Sequence, residues 1–247
     1  MTRRFGLAFL CCADDDEKLA RLRRSIEALA LPAGFETELY VERGVESLAS
    51  GYNRLLAAAS DWRYKAYVHQ DVVILNRDLV ADVLRLFRRR TLALVGAAGC
   101  RYLPESYVWW DGSGVLGRVV EYDDGSERLL DLEQPQGECE LVEAVDGLCL
   151  ITQHDLEWDE AVRGFHFYDI AQSTRYVLAG YDVAVPRQDA PWFGHDAKPW
   201  DEARTAEFYA ARDAFRARYD ARRLRFVRSR VRRRAKRLLT RLRVALS

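Results

Sequence analysis

The sequence predicts an α/β fold with a mostly parallel central sheet and flanking helices, and three observations carry that expectation. Strand-like apolar runs alternate with helical periodicity over the first hundred residues. The first run, Phe5–Cys12, is continuously apolar, as a strand buried on both faces of a parallel sheet must be. Repeated strand–helix–strand order favours parallel neighbours, because parallel pairing needs a crossover that a helix supplies.

The elements follow in order. Asp14-Asp15-Asp16-Glu17 close the first run, and their negative charge suits a helix N-terminus. Leu19, Leu22, Ile26 and Leu29 then share one helical face, up to Pro32-Ala33-Gly34. Phe35–Glu42 reads as the second strand. Ser47–Ala59 reads as a helix with Leu48, Tyr52, Leu55 and Leu56 inward. Tyr64–Leu75 holds the third strand, Asp78–Phe87 the third helix and Thr91–Val95 the fourth strand. From Gly96 to Glu138 the periodicity breaks. The alternating pieces Arg118–Tyr122 and Arg128–Leu132 predict a loop with a small irregular β-hairpin insertion. Leu141–Thr152 returns to strand character, broken at Asp146-Gly147. Asp169–Ala179 reads as a helix and Tyr181–Pro186 as the last strand. There is no internal repeat or low-complexity linker, so the expected division is one domain over residues 1–205 and a helical, basic tail over 206–247.

Composition narrows the function. The 247 residues carry 38 basic and 38 acidic side chains, but residues 221–247 hold 12 Arg/Lys and no Asp/Glu, which leaves residues 1–220 at −12. An acidic body argues against nucleic acid as a partner. The acidic loop after the first strand is the reverse of a basic, glycine-rich phosphate loop, which argues against a nucleotidyltransferase. The five cysteines are odd in number and form no CxxC pair, so reduced, mostly buried thiols in a cytoplasmic protein are expected. The N-terminal apolar run is short for a secretory signal and meets three aspartates, and no stretch approaches the ~20 apolar residues of a membrane span.

Three polar clusters interrupt the apolar pattern. His69-Gln70-Asp71 closes the third strand, at the carboxyl edge where open α/β sheets bind ligands. At i and i+2 an imidazole and a carboxylate point the same way on a strand and could share a divalent cation. Trp158-Asp159-Glu160 with Gly164–Asp169 reads either as a loop whose Asp169 caps the next helix or as a general base with its neighbours, Asp169 and His166 being the candidates. Pro191–Asp196 places His195 in an aromatic loop as a third metal or phosphate contact.

In this order, Gly51-Tyr52-Asn53-Arg54, Tyr67–Val72, Val145-Asp146-Gly147, Asp159-Glu160, Gly164–Asp169, Ala179-Gly180-Tyr181, Val185-Pro186 and His195 resemble glycosyltransferase family 2, and more narrowly the glycosyltransferase-like domain named for a streptomycin-biosynthesis protein. The resemblance covers roughly residues 5–200 and implies a GT-A (Rossmann-like) fold. It implies transfer of a sugar from a nucleotide-sugar donor to a hydroxyl acceptor, a glycan or lipid-linked, with inversion, in surface polysaccharide or glycoconjugate synthesis. Asp71 matches the aspartate that holds Mg²⁺ or Mn²⁺ on the donor diphosphate. His69 stands where the family usually has an acidic residue, and His195 matches a late histidine near the metal. Tyr168-Asp169 falls on the Glu-Asp pair that supplies the base, with Tyr168 the departure. Asp159 and Glu160, in an acceptor-side loop, join Asp169 and His166 as catalytic candidates. Glu42 and Asn53 are implied on the donor side, and Asp146, Trp109 and Trp110 on the acceptor side. A non-catalytic scaffold that binds sugar nucleotides for a glycan assembly system is the alternative, favoured by His69 in place of the acid.

The tail carries its own signal. Leu224, Val227, Val231, Ala235, Leu238, Leu242 and Leu246 are spaced near the ~3.6 residues of a helical turn, within a dense set of arginines. This predicts a basic amphipathic helix that lies on an anionic membrane, peripheral on the inner face of the plasma membrane; a solvated helix against the acidic body is the other reading.

Overall fold

Seven strands form the central sheet of the computed structural model, which describes residues 3–123, 126–196 and 201–220. The chain runs β1 (Arg4–Cys12), α1 (Asp16–Glu27), β2 (Glu36–Glu42), α2 (Leu48–Ala58), β3 (Trp62–Val68), β4 (Val72–Ile74), α3 (Leu79–Leu86), β5 (Leu92–Gly96) and β6 (Ala98–Tyr102). It continues through β7 (Ser113–Asp123), β8 (Ser126–Asp131), β9 (Cys139–Leu141), β10 (Ala144–Val145), β11 (Cys149–Thr152), α4 (Tyr168–Leu178), β12 (Asp182–Pro186) and β13 (Phe193–His195). A last helix, α5, covers 202–220.

The central sheet has the order β2-β1-β3-β11-β5-β12-β9. β1 pairs parallel with β2 and β3, and β5 parallel with β12. β11 runs antiparallel to both β3 and β5, and β9 antiparallel to β12. Five of the seven strands therefore run one way, as expected of a mostly parallel sheet, with β11 against them between β3 and β5 and β9 against them at the edge. All four β11 residues are buried, and a short apolar run carries no mark of its direction.

The helices form for local reasons. The Asp15 side chain accepts from the amides of Glu17 and Lys18 and caps α1, which buries Leu19, Leu22 and Ile26. Ser47 caps α2 in the same way, and Leu48, Tyr52, Leu55 and Leu56 face the sheet. α2 approaches the end of β1 so closely that a Cβ at Gly51 would meet Cys12 Sγ at 2.5 Å.

A second, six-stranded sheet contains the path β10-β6-β7-β13-β4, with β8 paired to β7. The expected hairpin is β7–β8, and it belongs to this larger sheet. The three-residue β13 lies antiparallel on β4 with His195 opposite Val72.

The expected boundary at residue 205/206 falls inside α5. Phe208, Phe215 and Tyr219 lie on one face of that helix and join the main core. Arg218 grips Asp159 with both Nε (2.9 Å) and an Nη (2.7 Å), and the Tyr219 hydroxyl donates to the same carboxylate at 2.8 Å. Spacings of seven and four place the three aromatics together, so residues up to 220 pack with the body. The basic segment 221–247 lies outside the described residues. Among the described residues no helix is long and apolar enough to cross a membrane.

Candidate active site

His69, Gln70 and Asp71 form the tight turn between β3 and β4, closed by the Val72 amide on the His69 carbonyl (3.3 Å). The expected strand alternation is therefore not what brings His69 and Asp71 together; the turn is. The β4–β13 ladder adds His195, and the Asp196 amide bonds the Asp71 carbonyl at 2.9 Å. One ring nitrogen each of His69 and His195 and one Asp71 oxygen all lie within 4.8 Å of one another. Gln70 faces the other way. Its Oε1 accepts from the Asp14 amide (2.9 Å) and the Asp15 amide (2.8 Å), which ties the acidic loop after β1 to this turn.

The Asp71 Oδ1 atom is buried without a hydrogen-bond partner, and His195 Nε2 stands 3.4 Å from it. Such a buried oxygen is costly unless a cation meets it. Two imidazoles beside a carboxylate with such an oxygen are a donor set that suits a divalent transition-metal ion. Burial alone would raise the Asp71 carboxyl, but His195, His69 and Lys18 together hold it well below the usual carboxylate range. Burial lowers His69. Burial works against His195 too, yet Asp71 pushes it up.

The second half of the site comes from α4. Phe167, at the N-cap position, sits in the left-handed region (φ 62°), a strained turn that sets Tyr168 and Asp169 at the head of the helix. Asp169 is thus in the first turn rather than at the cap. Burial, then the charge of Asp146, pushes the Asp169 carboxyl up to about 7. Asp146 is itself held in place: Trp109 Nε1 donates to one oxygen (3.1 Å) and the Leu148 amide to the other (2.9 Å). Tyr168 bridges the halves, its hydroxyl bonded to His69 Nε2 and donating to the Gly147 carbonyl at 3.1 Å.

The remaining expected residues are placed elsewhere. Glu42 ends β2 and accepts from Arg54 Nε at 2.7 Å. Asn53 spends its amide on the Trp158 backbone in both directions and on Glu160. Asp159 is engaged by Arg218 and Tyr219. Burial would raise it, but those partners hold it below the ordinary range, so it has no inclination to take a proton. His166 is half-buried against the edge of Phe208, and burial lowers it. Trp110 is exposed and stacks on Phe208, while Trp109 is buried behind Asp146. The structure therefore joins His69, Asp71, His195, Asp146, Asp169 and Trp109 in one site, and places Asn53, Asp159 and Glu160 in the attachment of the 153–167 loop and α5. Sequence reasoning missed Lys18, whose Nζ stands 3.9 Å from Asp71 and 3.4 Å from Asp196. A lysine in the first turns of an amphipathic helix gave no signal of its own.

A family model described as "Glycosyltransferase like family" matches residues 8–219. Solved structures share the architecture at low identity. One is GalNAc-T7 with UDP, GalNAc and Mn²⁺ (TM-score 0.54, 9% identity, 78% of this chain and 44% of that one). A second is the mannosyltransferase PcManGT from Pyrobaculum calidifontis with GDP-Man and Mn²⁺ (TM-score 0.53, 12%, 87% and 65%). A third is the catalytic domain of Drosophila beta1,4galactosyltransferase 7 with xylobiose (TM-score 0.50, 15%, 81% and 78%). The chain thus spans less than half the length of GalNAc-T7. These likenesses show a shared GT-A fold. Among curated proteins, no sequence relative matches the chain.

Proposed function

The chain belongs to the glycosyltransferase-like family, and from that premise we propose that it moves a sugar from a nucleoside-diphosphate donor to a hydroxyl acceptor by a single, inverting displacement. The observation that supports this reading is the pairing of Asp169, a carboxyl raised to about 7, with the His69–Asp71–His195 cluster in one site. Displacement at an anomeric carbon develops negative charge on the departing diphosphate and frees a proton from the attacking hydroxyl. The site has a group suited to each demand.

Asp169 takes the proton. A carboxylate whose pKa lies near working pH is ionised often enough to act and basic enough to be useful. Asp146, pinned by Trp109 and the Leu148 amide, keeps Asp169 basic and orients the acceptor-side wall. His69, Asp71 and His195 would hold a divalent cation, which supplies positive charge against the leaving diphosphate. Two nitrogens and one oxygen favour Mn²⁺ over the harder, oxygen-seeking Mg²⁺. Lys18 adds a fixed positive charge on the same side. Structural relatives bound to UDP and GDP-Man make uridine and guanosine diphosphate sugars the first donors to test.

The acceptor is proposed to be a growing surface glycan, carried on lipid. The basic segment 221–247 supports that reading, because a polybasic amphipathic sequence would hold the enzyme on the anionic inner leaflet of the membrane where such acceptors reside. A thermal-shift panel of UDP and GDP sugars, with Mn²⁺ or EDTA, tests the donor and metal reading. A donor that raises the melting temperature only with Mn²⁺, and no longer does so in Asp71→Asn, is the expected result. No response to any nucleotide sugar under either condition would overturn it.

A further inference from the structure

The Tyr168 side chain is buried and its hydroxyl has two polar partners. Its hydroxyl donates to the Gly147 carbonyl at 3.1 Å and meets His69 Nε2. A phenol has one proton to give. The Gly147 carbonyl can only accept; when the phenol's one proton goes there, the oxygen accepts from the imidazole and His69 carries its proton on Nε2. The lone pair then lies on Nδ1, and a neutral imidazole binds a metal through the nitrogen that has the lone pair. The approach needs glycine: a Cβ at position 147 would lie 2.0 Å from the Tyr168 hydroxyl and 3.2 Å from the Asp169 Cβ. Glycine at 147 therefore lets the hydroxyl reach both partners.

We propose that Tyr168 is a positioning residue that fixes the tautomer of His69 through the Gly147 carbonyl, so that Nδ1 is the nitrogen presented to a divalent cation shared with Asp71 and His195. This rests on the reading of that cluster as a cation site. Hydrogen-bond partners of metal-bound histidines set ring orientation and basicity in this way, and their loss typically costs about 10- to 100-fold in affinity. The residue that supplies the base, Asp169, follows Tyr168 directly, so one strained turn at the head of α4 sets both the base and the orientation of a metal ligand.

The tautomer is read on the unaltered, metal-free chain at pH 8 by long-range proton–nitrogen correlation of ¹⁵N-histidine, with His69→Gln assigning the signals among the four histidines. The expected spectrum has a protonated-type nitrogen at Nε2 and a bare one at Nδ1, and Zn²⁺ shifts the bare one. The opposite tautomer, or Zn²⁺ on Nε2, overturns the proposal. Calorimetry with Mn²⁺ alone supplies the second arm. Tyr168→Phe, and independently Gly147→Ala with Tyr168 intact, should each weaken Mn²⁺ binding roughly 10- to 100-fold, while UDP affinity in EDTA stays as in the wild type. Equal Mn²⁺ affinity in wild type and Tyr168→Phe removes the role of Tyr168 but leaves the cation site standing. No Mn²⁺ binding by the wild type removes the cation site, and the role with it.

Discussion

Asp169 stands beside Asp146, and that second carboxylate, after burial, pushes Asp169 up to about 7. A buried carboxyl beside a second carboxylate is harder to ionise, which suits Asp169 to take a proton near neutral pH.

The pH profile of the transfer reaction follows. With Asp169 as the proposed base, kcat/KM should fall with unit slope as pH drops below about 7. Asp146→Asn keeps the hydrogen-bonding shape but removes the charge that raises Asp169. The acid-side inflection should move to lower pH by less than the whole displacement, because burial remains. A profile whose inflection stays put, or rises, in Asp146→Asn contradicts the electrostatic account.

The same shift has a sign in stability. Asp169 titrates near 7 in the folded chain and near ~3.9 when unfolded, so the native state favours the protonated form. Stability is intact below the unfolded value and is lost as pH rises from about 4 to about 7. Asp169→Asn escapes that loss. In denaturant titrations with EDTA it should match the wild type at pH 4 and exceed it at pH 8, by on the order of 2–4 kcal/mol. A variant less stable than the wild type at pH 8 would show that Asp169 is not disfavoured when charged.

Helix α5 yields a contrast between two truncations. Removing 206–247 strips Phe208, Phe215 and Tyr219 from the core and Arg218 from Asp159. Large-to-small loss at one buried aromatic costs about 3–5 kcal/mol, so this truncation should not fold cooperatively. Ending the chain after Asp220 keeps all four residues and should leave the melting transition within a few degrees of full length. Calorimetry distinguishes these outcomes.

The segment beyond 220 makes a separate prediction. Its 12 basic residues should bind anionic vesicles, at up to ~1 kcal/mol for each residue near the surface before screening. Full-length protein should pellet with anionic but not neutral vesicles at low salt, and the chain ending at Asp220 should not. Equal pelleting of the two chains removes the membrane reading.

Particular residues show what sequence could and could not reveal. Leu48, Tyr52, Leu55 and Leu56 announce α2 because burial on one face imposes a period that the letters display. The meeting of His195 with Asp71 depends on β13, three residues long, pairing with β4, which is also three. Strands that short carry no period. Asp159 and Glu160 attract attention because they interrupt an apolar pattern, yet Arg218, fifty-nine residues later, is what Asp159 holds. A polar residue looks the same in sequence whether it serves chemistry or a tertiary contact. Tyr168 stands out only as a departure from a family pattern, and its reach to His69 and Gly147 required the fold.

The central claim is that this site transfers sugar with Asp169 as base. The most direct test is single-turnover consumption of the donor that the thermal-shift panel identifies, with Mn²⁺ and acceptor present, comparing wild type with Asp169→Asn. The account predicts a rate lowered roughly 10²- to 10⁴-fold, the usual contribution of a positioned base, with donor affinity unchanged. A variant that consumes donor at close to the wild-type rate, or a wild type that binds donor and never turns it over, would contradict the claim, and the second result would favour a sugar-nucleotide-binding scaffold.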